Sequence, residues 1–239
     1  MDEATYGLIR ARRATDHPGD DLLSRLVSTR DDDGQPLSET QIRDELMTLI
    51  VAGHETTANA LSWLLHLLST HPDVAEAARA LDAPALAPPG PPDVLGRVLL
   101  EALRILPPAW VIVRTPYEAR ELGGFALPKG AAILISQYVV HNDPRWWPEP
   151  ARFDPDRWLP ERPQPPKGAY FPYGNGPRIC IGNHFANALL RLAVSGCLRR
   201  FDLRPAAGAR VVPQPLTTLR PKGGLSLALE ARSSDRARS

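Results

Sequence analysis

Residues 171–185 read FPYGNGPRICIGNHF, and the reading of this stretch decides how the rest of the chain is understood. Cys180 stands just before a helical segment that begins near Gly182, on a loop that also carries Gly174 and Gly176. A thiolate at a helix N-terminus is stabilised by the dipole and by unpaired backbone N–H groups. Glycines let the backbone approach a flat ligand closely. Arg178, two residues before the cysteine, can reach an anionic group. A lone cysteine is more often a buried core thiol. Cys197 has that form, in register with Leu189 and Ala193 on the same helical stretch, whereas Cys180 sits in a specialised loop. The Gly174-Asn175-Gly176 run is not a nucleotide loop, because Ile179 stands where the third glycine is needed.

Outward from the loop, the helical stretch runs to about Arg200, and residues 201–230 read as hairpins before a frayed tail at 231–239. Upstream, residues 142–177 are irregular, proline-rich and aromatic. Irregular segments of that length are often functional. Strand-like runs fall at 109–115 and 131–136, with turns at Gly123-Gly124 and Lys129-Gly130. Asp93 caps a helix over 94–105, ended by Pro107-Pro108. Pro72 opens a short helix to about Leu81, followed by a loop over 84–92. Ser38 and Gln41 form a capping box for a helix that ends near Thr70. Ile42, Leu46, Leu49, Ile50, Gly53, Thr57, Ala60, Leu61, Leu64, Leu65 and Leu68 give it one apolar face. At ~1.5 Å per residue this helix is ~45 Å long, enough to cross a domain. Residues 2–29 are helical with a break at His17-Pro18-Gly19. The expected fold class is mainly α with small β-sheets.

Two further constellations lie far from the cysteine. On the long helix, Ala52-Gly53-His54-Glu55-Thr56-Thr57 puts Ala52, Gly53 and Thr56 on one side. Small residues there let a flat cofactor approach, and a Thr hydroxyl beside an acid can carry a water-linked proton relay. The pattern also points to a groove opened where Thr56 bonds to a backbone carbonyl. It is not a zinc-protease motif, since Ala58 stands where a second His is needed. Glu101 and Arg104, at i and i+3, share a helix face.

Taken with these, the cysteine loop resembles the haem-binding loop of the cytochrome P-450 family. Tyr173, Gly174, Gly176, Arg178, Cys180 and Gly182 occupy the family's positions, with Tyr173 where the aromatic is usually Phe. Such a tyrosine can pack against the cysteine, but its hydroxyl needs a partner if buried. The resemblance implies haem b, iron protoporphyrin IX, held by Cys180 as thiolate ligand. Arg178 and Arg114 meet the propionates, and Glu55 and Thr56 deliver protons to dioxygen. Ala52 and Gly53 lie against the cofactor. Glu101 and Arg104 form the family's buried pair, completed by Arg157, and hold the cysteine loop. His141 is a local structural residue. By the same resemblance, Val51, Ala52 and residues 109–112 and 216–218 line a pocket for a terpenoid, fatty acyl or polyketide substrate.

The implied function is a haem-thiolate monooxygenase acting on a lipophilic small molecule, with a ferredoxin- or flavodoxin-type electron donor. One alternative is a truncated, non-catalytic remnant that does not stably bind haem. Another is an isomerase or lyase using peroxides, which the acid–threonine pair disfavours. Residues 1–230 read as the C-terminal, haem-binding portion of a P-450 domain, with the N-terminal part apparently missing. Bulk properties agree with a globular protein: 239 residues, 43% hydrophobic and 23% charged. A net charge of +1 gives no electrostatic case for nucleic acid. No apolar run reaches the ~18 residues of a membrane span, the N-terminus is polar, and there are two cysteines. A cytoplasmic location is expected.

Overall fold

The computed structural model describes residues 2–15, 19–79 and 90–232. Residues 16–18, most of the 84–92 loop, Leu81 and residues 233–239, for which a break, a loop, a helix end and a tail were expected, lie outside these. The chain divides into two compact units, Met1–Glu55 and Thr56–Ser239.

In the first unit, α1 (Asp2–Arg13) lies on the opening turns of α3 (Glu39–Thr70). Ile9 and Ile42 are fully buried. Arg43 Nε donates to Asp2 at 3.1 Å, and Thr5 Oγ1 to Met47 Sδ at 3.8 Å. Between them, α2 (Leu22–Ser28) is capped by Asp21, which accepts from the Ser24 N–H at 2.9 Å. The capping box of α3 forms as expected. The Ser38 N–H donates to Gln41 Oε1 at 2.9 Å, and the Gln41 N–H to Ser38 Oγ at 3.2 Å.

The apolar stripe of α3 is unevenly covered. Its apolar face is not buried throughout: Ala60, Leu64 and Leu68 are in the core, but Ile50 is 51% exposed and Gly53 is also exposed. The helix is unbroken α-helix through 52–57.

In the second unit, the core joins Trp63, Leu64, Leu67 and Leu68 of α3 to α4 (Pro72–Arg79), α5 (Val94–Ile105) and α7 (Asn183–Arg200). Asp93 caps α5, accepting from the Gly96 N–H at 2.7 Å. Cys197 is half-buried against this core, and burial raises its thiol pKa. The four sheets among the described residues are all two-stranded and antiparallel. β1 (Ile112–Arg114) pairs with β4 (Ile133–Ile135), and β2 (Arg120–Leu122) with β3 (Phe125–Leu127). β5 (Phe201–Pro205) pairs with β8 (Leu227–Ala231), and β6 (Pro213–Pro215) with β7 (Leu219–Pro221). Ala231 therefore belongs to β8, opposite Phe201, and not to a tail. β2, β3 and the short helix α6 (Gln137–His141) have no counterpart in the sequence reading.

The irregular segment after α6 is organised by one buried charge. Glu101 and Arg104 are both fully buried. Glu101 Oε1 accepts from Arg104 Nη2 at 2.8 Å, the Asp154 N–H at 3.1 Å and Arg157 Nε at 3.3 Å. Its Oε2 accepts from Arg104 Nε and Trp158 Nε1, each at 2.9 Å. Arg104 also donates to the carbonyls of His141 and Pro150, both at 2.8 Å, and lies over the Trp147 ring. Removing one partner from such a cluster leaves an uncompensated buried charge, at a cost of ~3–5 kcal/mol. Glu101→Gln is therefore expected to lower the urea-unfolding free energy by about that amount, and Arg157→Gln by less, since Arg157 reaches solvent at 12% exposure. A loss below ~1 kcal/mol for Glu101→Gln would show that Glu101 does not hold this region.

Candidate functional site

The cysteine loop is anchored to three helices in succession. The Tyr170 hydroxyl donates to the Leu100 carbonyl of α5 at 3.0 Å. The Phe171 N–H donates to His141 Nε2, at the end of α6, at 2.9 Å. The Tyr173 hydroxyl donates to Asn187 Oδ1 on α7 at 2.7 Å. Since Arg104 donates to the His141 carbonyl, the buried Glu101 cluster is linked through His141 to the first residue of the loop.

Within the loop, the chain folds back on itself. The Gly174 N–H donates to the Phe171 carbonyl at 2.9 Å, and the Cys180 N–H to the Tyr173 carbonyl at 2.9 Å. Gly174 and Gly176 both have φ of +74°, a conformation in which a side chain is strained. A 3₁₀ turn, Gly176–Arg178, follows, with Asn175 accepting from the Gly176 N–H at 2.7 Å. Gly182 caps α7 without a side chain, and a Cβ there would stand 3.9 Å from Cys180 Sγ.

The thiol of Cys180 is free and exposed. Beside it, Ile179 is 52% exposed, Ile181 89% and Phe185 74%. Tyr173 packs against the main core, and burial, reinforced by Cys180 nearby, pushes its pKa up. Arg178 is exposed and, like Arg114 at the end of β1, forms no ion pair among the described residues. An exposed thiol, an apolar surround and an unpaired guanidinium suit a flat, apolar group with an anionic edge. Among the described residues no three or more His, Cys, Asp or Glu side chains gather into a metal site.

Ala52, Gly53 and Glu55 close the first unit, and Thr56 opens the second on the same helix. Residues 216–218 form the tight turn between β6 and β7. It is pinned by Trp110 Nε1 to the Leu216 carbonyl at 2.8 Å and by Asn59 Nδ2 to Thr218 Oγ1 at 2.9 Å. Sequence reasoning missed Asn187, Trp158 and Asp154. For Asn187 there was a signal: Asn183, Asn187 and Arg191 recur every four residues on a largely apolar helix. All three line a cavity of about 620 Å³ together with Tyr173, Leu99 and Leu103.

The chain matches the cytochrome P-450 family over residues 2–83 and 92–228. It is 43% identical over 215 residues to a cyclooctatin synthase of Streptomyces melanosporofaciens, covering 83% of this chain and 45% of that protein. It is 36% identical over 242 residues to a pentalenene oxygenase of Streptomyces avermitilis, covering 98% and 54%. Among solved structures it superposes on the cytochrome P450DA heme domain with a TM-score of 0.86 and 33% identity, over 97% of this chain and 54% of that one. With retinoic acid bound cyanobacterial CYP120A1 the TM-score is 0.85 and the identity 31%, over 96% and 55%. This chain belongs to the cytochrome P-450 family, whose cofactor is haem b, and it spans about half the length of the relatives it matches. The fold is the corresponding part of the P-450 fold. No helix among the described residues is long and apolar enough to cross a membrane.

His141 gives the loop's anchorage a pH dependence. It is fully buried, and burial, opposed by its contacts with the Leu103 and Arg104 backbone, lowers its pKa from 6.5 to about 4. Its Nε2 must stay unprotonated to accept from the Phe171 N–H. The unfolded chain thus binds a proton that the folded one refuses. The stabilisation is complete above pH ~6.5 and is lost as the pH falls toward ~4, by up to ~3 kcal/mol. His141→Gln keeps an acceptor without the titration. Between pH 7 and 4.5 its urea-unfolding free energy is expected to fall by ~2–3 kcal/mol less than that of the parent chain. Parallel pH profiles would rule His141 out as the source.

Proposed function

We propose that this chain is the haem-binding part of a monooxygenase that inserts one oxygen atom of O2 into a lipophilic small molecule, with electrons from a ferredoxin- or flavodoxin-type donor. The observation that carries this reading is the free, exposed Cys180 thiol on a loop tied to α5, α6 and α7. Similarity to a pentalenene oxygenase supports oxygenation as the reaction class.

When bound, haem supplies the activation of dioxygen, to which a thiolate ligand contributes electron density. Cys180 holds the iron. Gly174, Gly176 and Gly182 keep side chains out of the way of the ring, and Tyr173 backs the sulfur. Arg178 and Arg114 meet the propionates as charge-assisted donors. Ala52 and Gly53 offer a small surface to the cofactor, and Glu55 and Thr56 pass protons into the pocket. Val51 and residues 109–112 and 216–218 are apolar or small, which suits a terpenoid, fatty acyl or polyketide substrate. The two free cysteines suit a reducing compartment such as the cytoplasm.

A second reading is a chain that does not hold haem stably by itself. It is favoured by the exposure of Ile181, Phe185, Leu189 and Leu192, an apolar surface larger than scattered single residues would give. The two readings separate in one experiment. The whole chain is mixed with haemin, desalted, reduced and exposed to CO, beside a Cys180→Ser variant. The strongly red-shifted Soret band of thiolate-ligated haem is expected in the parent chain and not in the variant. No retained haem, or a band of the histidine-ligated type in the parent chain, favours the second reading.

A further inference from the structure

We propose that Asn187 is a positioning residue for Cys180, acting through a clasp with Tyr173; the inference rests on the reading of Cys180 as the haem ligand. Tyr173 uses two atoms for two tasks. Its carbonyl accepts from the Cys180 N–H at 2.9 Å, which closes the loop. Its hydroxyl donates to Asn187 Oδ1 at 2.7 Å, which ties the loop to the second turn of α7. Cys180 is also joined to α7 along the chain, through Ile181 and Gly182. The cysteine therefore sits in a ring that leaves α7 at Gly182 and returns to it at Asn187.

The ring matters because few side chains hold its backbone. Gly174 and Gly176 lie at positive φ, Gly182 has no side chain to lock it, and residues 175–181 are exposed. The far end of the clasp is firmly placed. One turn beyond Asn187, Arg191 is 2% exposed and donates to both carboxylate oxygens of Asp93, at 2.8 and 2.6 Å. Asp93 in turn caps α5. A phenylalanine at 173 would fill nearly the same volume but leave Asn187 without this donor. The hydrogen-bonded surroundings of a metal ligand set its orientation and tune the metal. Here those surroundings include the hydroxyl–amide bond between Tyr173 and Asn187.

The test compares Tyr173→Phe, Asn187→Ala, the double variant and Asn187→Asp, which keeps the acceptor. In the chain without haem, hydrogen exchange at the Cys180 amide is expected to speed up about 3- to 10-fold in each single variant. The double variant should show little further change, because the two residues act as one pair. Asn187→Asp should restore most of the protection, and amides within α5 should not change. With haem bound, both Tyr173→Phe and Asn187→Ala should lose the thiolate-type CO band at lower urea than the parent chain, and should shift the iron's reduction potential in the same direction. A uniform fall in stability, with no local change at Cys180 and no shift in potential, overturns the proposal. Unchanged exchange beside an intact thiolate band overturns the clasp and leaves the haem reading standing. Absence of that band in the parent chain removes the haem reading, and the positioning role with it.

Discussion

A carboxylate taken out of water must be met by donors on every side, and Glu101 is met by five. Two come from Arg104, one turn further along α5. The others come from Asp154, Arg157 and Trp158, in a short 3₁₀ helix, Pro155–Trp158, and its cap. The cost of burying that charge restricts where residues 154–158 can lie, because any other arrangement leaves a donor or an oxygen unpaired. Arg104 extends the constraint to α6 and the Pro150 carbonyl, and His141 passes it to Phe171. The cluster is thus better described as a geometric fixture than as a source of net stability. What it fixes is the approach of the chain to Cys180.

From Phe171 onward a second arrangement takes over, in which α7 is divided along its length. Asn183, Asn187 and Arg191 face the cavity shared with α5, and two of them hold partners in other segments. Phe185, Leu189 and Leu192 are exposed. The polar residues fix the helix, while the apolar ones offer a surface that a large apolar group can cover.

How far the sequence could be read depended on the range of each interaction. Caps, the ends of α3 and α5, and the cysteine loop were legible because each is written in a few consecutive residues: Ser38 with Gln41, Asp93 with Gly96, Gly174 to Gly182. Glu101 with Arg104 was legible as a pair, since i and i+3 share a helix face. Its burial, and the roles of Asp154 and Trp158, depend on residues more than fifty positions away, which leave no periodic trace. The same holds for His141, whose ring serves a backbone N–H thirty residues on. The five-residue α6 and three-residue β2 and β3 are too short for periodicity to register. An apolar stripe such as that of α3 records what a helix can bury, not what covers it.

The hairpin of β2 and β3 turns on Gly123 and Gly124, both at positive φ, and nearly every residue in it faces solvent. It buries almost nothing, so its length is under little thermodynamic restraint; lengthening such a connection costs only a fraction of a kcal/mol per doubling, about 0.6. Its length can therefore change without disturbing the cysteine loop. For the experimenter it is a natural place to graft an epitope or a fluorophore.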